Sequence, residues 1–375
     1  MPEAQIAIVG GGIVGLAHAC LAAQSGRSVV LFERHAAAQG ASIRNFGMIW
    51  PIGQPPGERL QLALRSRGLW HSITEEAGLH VTSRGSMHLA YREDEAAVIR
   101  EFAEVGPPQG YSCRWLSPAE VRAVAPGVRP QGLLGGLWSD SEMVVDPREV
   151  ARALPAFLAE RLGVCLRYAS VVHAIEPPLV HTAQETWRVE RVVVCGGDDF
   201  VTLYPDLFTQ SGLQRCKLQM MRTAPQPGGW KLGAALAAGL TLRFYPSFRI
   251  CRSLPALEQR IAAETPHFDR YGIHVMASQT PAGEITIGDS HEYGDAITPF
   301  DKPQIDEWIL SYLSGFLDLP SPAIAERWHG IYAKHPTQAY FLAEPHPSVR
   351  IVTGLGGAGM TLSFGLAEQT WNTWP

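Results

Sequence analysis

Charge is scarce in this chain: 18% of its 375 residues are Asp, Glu, Lys or Arg, and the net charge is −5. Nucleic-acid binding requires a basic footprint, so the composition argues against that partner. Cysteine is sparse too. Cys20, Cys113, Cys165, Cys195, Cys216 and Cys251 are scattered, with no CxxC and no Cys/His pairing at metal-ligand spacing. Reduced, mostly buried thiols, a cytoplasmic setting and no metal are the expectation. No apolar run approaches the ~20 residues that cross a bilayer. The N-terminal "IAIV" has no basic region before it, so neither a membrane span nor an export signal is expected. Internal repeats and low-complexity tracts are also missing. What is present is 46% hydrophobic residues over a length that suggests two domains.

Glycine is where the chemistry starts. "QIAIVGGGIVG" opens the chain and "VTGLGGAGMT" lies near its end, each glycine turn following an apolar β-type run. The first contains Gly10-x-Gly12-x-x-Gly15 between a strand and a helix over Ile13–Ser25. Glu33 ends the next strand, "SVVLFE". That context meets the dinucleotide fingerprint: Gly10 turns, Gly12 admits a pyrophosphate, Gly15 packs helix on strand, and Glu33 accepts from a ribose. A third stretch, "VVVCGG" at 192–197, lies between the two. NAD is usually completed by one contiguous domain, whereas FAD is long enough to touch all three stretches.

Along the chain, "SPAE" (117–120) is a capping box, and Asp146–Pro147 starts a helix that Pro155 would kink or break. "LTLRFYPSFRI" (240–250) reads as β-like, and 302–318 as an amphipathic helix. The nucleotide-binding pattern opens the chain, returns near 150–200 and closes it. The fold class is therefore α/β. A Rossmann-like FAD-binding domain (1–84, 146–214 and 329–375) is interleaved with an antiparallel or mixed-sheet substrate domain (85–145 and 215–328).

The three glycine stretches together resemble the flavoprotein family of D-amino-acid oxidase, glycine oxidase and sarcosine oxidase, over essentially the whole chain. "GASIRNFGMIWPIGQP", "KLQMMRT", "IGDSHEYG" and "WHGIYAKHP" resemble a subgroup proposed to oxidise aminophosphonates. The resemblance implies FAD contacts at Gly10, Gly12, Val14, Gly15, Glu33 and Arg34. It implies others at Ser42, Arg44 and Asn45 beside the flavin, at the Val172 backbone on the adenine, and at Cys195, Gly196 and Gly197. Gly357, Ala358, Gly359, Met360 and Thr361 would line the flavin pyrimidine. The other reading of Cys195 is a small core residue of which only the backbone matters.

Departures from the family are equally informative. Gly330 stands where sarcosine oxidases tether flavin through a cysteine, so non-covalent FAD is expected. Thr286 is the nearest match to a lysine that promotes oxygen reaction, which leaves O2 or another acceptor open. "GIYAKHP" replaces a carboxylate-holding arginine. Arg44, Lys334, His291 and Tyr293 are the substrate-site candidates, with His335 and Arg249 behind them. Against this, Lys334 reads as a solvated surface lysine, and His291 with Tyr293 as a surface turn. A small anionic amine is the expected substrate, its neutral form favoured by the Arg44 and Lys334 charges. The rivals are a hydroxy-acid dehydrogenase using His291 or His335 as base, and a flavoprotein subunit presenting Trp371 and Trp374 to a partner.

Overall fold

The computed structural model describes residues 1–374. Parallel strands buried on both faces read as continuous apolar runs, and four of them start the first sheet: β1 (Glu3–Val9), β2 (Val29–Phe32), β3 (Thr186–Val194) and β4 (Val349–Thr353). Their order is β4-β3-β1-β2, with Cys165–Arg167 beyond β2 and Phe341–His346 antiparallel beyond β4. Val9 pairs with Val194, and Val194 with Ile351, so β1, β3 and β4 end level. All three glycine stretches therefore leave the same edge of neighbouring strands.

Two helices close over that edge, α1 (Ile13–Gln24) and α2 (Gly359–Asn372). Gly15 lets α1 rest on the preceding turn, since a Cβ there would lie 1.9 Å from the Gly10 carbonyl oxygen. The helix Glu58–Glu76 packs against α2, and its buried Trp70 donates Nε1–H to the Met360 carbonyl at 2.7 Å.

The second sheet runs Glu292–Gly294, Gln214–Thr223, Ile285–Gly288, Met276–Gln279, Ala235–Ala237, Val81–Ala90, Gly135–Val145 and Met48–Ile49. Its pairings are antiparallel except between Ala235–Ala237 and Val81–Ala90. Ile324–Lys334 pairs along the whole of Gln214–Thr223, from Thr223 opposite Ile324 to Gln214 opposite Lys334. The second sheet also takes residues 48–49, 81–84 and 329–334, since its ladders run through them. Two expectations change. Residues 240–250 form a short helix, Leu240–Phe244, and a 3-10 turn, Pro246–Ile250, since Pro246 cannot continue a ladder. Pro147–Leu162 is one helix with Pro155 inside it. The Ser117 capping box and the Asp146 cap form as read.

Among the described residues no helix is long and apolar enough to cross a membrane. Trp374 is buried, and Trp371 donates to the His18 carbonyl, so these two tryptophans pack inward rather than forming an exposed interface.

Three buried histidines make the fold acid-sensitive. Burial pulls His18 and His291 down to about 4, and His88 to about 3, from an ordinary 6.5. Neither ring nitrogen of His88 has a partner between Trp50 and Phe248. The unfolded chain takes up these protons near pH 6.5 and the folded protein resists until about pH 4. Stability is thus flat above neutrality and falls between pH 6.5 and 4, by about 1.4 kcal/mol per pH unit for each group. Thermal melts across that range should show the fall, and His88→Leu should make it shallower. An unchanged slope would remove His88 from the account.

Candidate active site

A cavity of about 520 Å³ runs from the glycine edge of the first sheet onto the second sheet. Its glycine end suits an elongated ligand with phosphates. Gly10 has φ +110°, and a Cβ there would lie 2.3 Å from the Cys195 carbonyl oxygen, so turn and strand end touch. In contrast, a Cβ on Gly12 meets only Ser42 Oγ at 3.1 Å, and one on Gly197 meets nothing within 4 Å. This wall stands open towards the cavity. Neither α1 nor α2 has a side-chain cap of its own or an acid in its first turn. Helix N-termini left so present N–H groups and positive potential to an anion or a polar ring edge.

The residues around this end are held in place. Glu33 Oε2 accepts from Gly11 N–H at 2.8 Å and Oε1 from His35 N–H at 3.0 Å, which aims the carboxylate along the floor. Arg34 pairs with Asp199 at the rim. Ser42 Oγ accepts from Ile13 N–H at 2.9 Å. Asn45 bonds Ala41, Ser42 and Gly47, so its side chain shapes the loop itself. Thr361 Oγ1 accepts from Trp50 N–H at 2.9 Å. Burial pushes the Cys195 thiol far up, so it lines the cavity as a neutral, inert group. Val14, Val172, Gly196, Gly357, Ala358, Gly359 and Met360 also line the cavity. Gly15 does not; it packs helix on strand.

At the other end lie Arg44, Lys334 and His291. Arg44 Nη1 donates to the His329 carbonyl at 3.0 Å. Lys334 Nζ donates to Tyr293 OH at 3.0 Å and sits 5.7 Å from the Phe244 ring centre. Lys217 and Lys302 pair with Asp301 and Glu292. Lys334 has no such carboxylate partner among the described residues, and burial lowers its ammonium. Tyr293 supports Lys334 from outside the lining and is 47% exposed.

Three candidates fall away. His335 Nδ1 accepts from the backbone N–H of Thr337 and Gln338, closing a turn outside the lining. Arg249 is exposed, away from the cavity. Thr286 is buried in the second sheet opposite Arg222 and Ser278, so its identity carries no information about oxygen at the cofactor.

Sequence reasoning missed Asp289, His274 and Arg59, which all line the cavity. Asp289 lies within the "GDSHEYG" cluster and was legible there. His274 is placed only by the fold.

Comparison with known proteins agrees with this geometry. A profile of the DAO family, described as FAD dependent oxidoreductase, matches residues 5–371. The chain is 28% identical to glycine oxidase of Geobacillus kaustophilus over 204 residues, covering 51% of this chain and 54% of that enzyme. It is 27% identical to human mitochondrial sarcosine dehydrogenase over 171 residues, covering 43% of this chain and 18% of that protein. The chain thus spans about half or less of the length of these curated relatives. In fold it matches the crystal structure of the Geobacillus glycine oxidase with a TM-score of 0.78 at 20% identity, covering 98% and 94% of the two chains. It also matches L-alpha-glycerophosphate oxidase from Mycoplasma pneumoniae with FAD bound, with a TM-score of 0.75 at 18% identity over 99% and 94%. A cavity built from three glycine turns and two acid-free helix N-termini therefore has its explanation: the chain belongs to the FAD dependent oxidoreductase family, and FAD is its cofactor.

Proposed function

We propose that this protein oxidises the carbon–nitrogen bond of a small amine that carries a compact anion, an aminophosphonate resembling 2-aminoethylphosphonate, hydroxylated or N-methylated variants included. The observation behind it is Lys334, half-buried on the cavity wall with no acidic partner among the described residues. A half-desolvated cation favours an anion opposite it, and Arg44 and Arg59 add charge to the same cavity. The relatives named glycine oxidase and sarcosine dehydrogenase support an amine as the reducing group.

In this reading the first-sheet segments hold FAD, and the second sheet with its helices holds substrate. FAD is held without a covalent bond, consistent with the Arg44 backbone oxygen lying 3.3 Å from where a Gly330 Cβ would stand. When bound, FAD accepts two electrons and a hydrogen from the carbon beside nitrogen. Lys334 and Arg44 orient the anion so that this carbon faces the cofactor, and water then releases an aldehyde with ammonia or methylamine. Electrons pass on to O2 or another acceptor. Six free cysteines suit a cytoplasmic setting.

Anaerobic mixing with aminophosphonates, amino acids, simple amines and 2-hydroxy acids tests the proposal through loss of the oxidised-flavin absorbance. Aminophosphonates should reduce the flavin fastest. Reduction by hydroxy acids alone would assign a dehydrogenase, and reduction by none would leave a flavoprotein without a small substrate of its own.

A further inference from the structure

His274, Asp289 and His291 meet on the cavity wall, all three buried. His291 Nδ1 lies 2.9 Å from the Gly272 carbonyl oxygen, so the ring donates its proton there and Nε2 keeps a lone pair. That lone pair faces Asp289 Oδ2 across 3.9 Å. His274 Nε2 lies 2.9 Å from the other carboxylate oxygen but out of hydrogen-bond alignment, which leaves Asp289 Oδ1 buried without a donor. Phe244 stacks on both imidazoles, with ring centres 4.0 Å and 4.6 Å away, and holds their planes nearly parallel. Oδ2 and Nε2 thus face each other across a gap in the cavity wall, beside an Oδ1 that is buried and unpartnered. A buried carboxylate short of donors costs free energy unless a ligand supplies them.

We infer that this gap is the seat of the substrate's amine nitrogen: a primary amine donates one N–H to Asp289 Oδ2 and another to His291 Nε2, and an N-methylated amine donates its single N–H to one of them. The inference rests on the amine reading above and adds to it the residues that recognise nitrogen. N–H donors reach acceptors at about 2.9 Å, so one nitrogen beside the 3.9 Å gap reaches both atoms as they stand. A zinc-like ion at about 2.1 Å from each donor would have to open the angle between them to about 136°, wider than a tetrahedral seat allows. The seat also has a catalytic use. As the carbon beside nitrogen loses its hydrogen with the bonding electron pair, the nitrogen lone pair forms the new C=N bond and positive charge grows on nitrogen. The Asp289 carboxylate lies where that charge develops. His274 is a positioning residue, stacked on Phe244 with its Nε2 packed 2.9 Å from the other carboxylate oxygen.

Asp289, His274, Lys334, Tyr293 and Tyr332 are the titratable groups facing His291. Burial holds its imidazole neutral down to about pH 4, so amine recognition persists through mildly acid pH and fails once Nε2 is protonated.

Two isosteric pairs of ligands test the seat on the FAD-loaded protein, read by perturbation of the flavin spectrum. One pair is 2-amino-2-methylpropylphosphonate and 2,2-dimethylpropylphosphonate; the other is 2-aminoisobutyrate and trimethylacetate. None has a hydrogen on the carbon bearing nitrogen or its methyl replacement, so none is oxidised there. The parent should prefer the amine of at least one pair by about ten- to a hundredfold. Asp289→Asn and His291→Gln should each remove most of that preference while leaving affinity for the methyl partner unchanged. Preference in the carboxylate pair alone would end the aminophosphonate reading and keep the seat. The seat is overturned by equal binding within both pairs, by a preference that survives the variants that load FAD, or by one equivalent of metal that resists chelator dialysis in the parent and is lost in Asp289→Asn.

Discussion

Replacing Gly12 by valine should give a folded, colourless protein. Gly12 has φ −73° and ψ 173°, an extended conformation that a β-branched residue adopts readily. Its Cβ would meet only the Ser42 hydroxyl. The protein therefore tolerates the side chain, and what loses its place is the pyrophosphate. Gly15→Ala is the contrast, because a Cβ at 15 runs into the Gly10 carbonyl oxygen and damages the fold itself. Flavin absorbance at equal protein concentration, beside far-UV circular dichroism, separates the two. Acid precipitation of the parent should leave intact FAD in the supernatant, as non-covalent binding requires. A Gly12→Val protein that stays fully yellow would show that this turn does not carry the cofactor.

Lys334→Ala should lower kcat/KM for an aminophosphonate by about ten- to a hundredfold, the loss of one charge-assisted hydrogen bond of about 1.5–3 kcal/mol. Simple alkylamines should be poor substrates of the parent and little changed by the substitution. Because Lys334 pairs with Gln214 at the end of a long ladder, removing its side chain leaves the backbone register intact. Aminophosphonate kinetics unchanged at full flavin content would move the anion to Arg59 or Arg44.

The cofactor half of the cavity was legible because its chemistry is local. A turn that needs positive φ at Gly10, a helix that must touch strand at Gly15 and an acid at the end of the next strand all lie within 24 residues. Substrate-end chemistry depends on register instead. Thr286 and Asp289 are three residues apart on one segment, and only the second reaches the cavity. The Lys334 charge is informative because no acid among the described residues pairs with it directly, which depends on strand partners more than a hundred positions away. His274 enters through its contact with Asp289, and the aromatic-rich 240–250 segment resembles a strand until Pro246 and its neighbours turn it into helix.

Because β3 lies between β1 and β4, the glycine wall of the cavity joins segments far apart in the sequence. The β1–α1–β2 unit is local, whereas β3 and β4 reach the wall only after segments of the second sheet have intervened. Assembly of this wall therefore waits on long-range strand pairing, which is slow, and the apolar face of the unfinished sheet is open to aggregation until it closes.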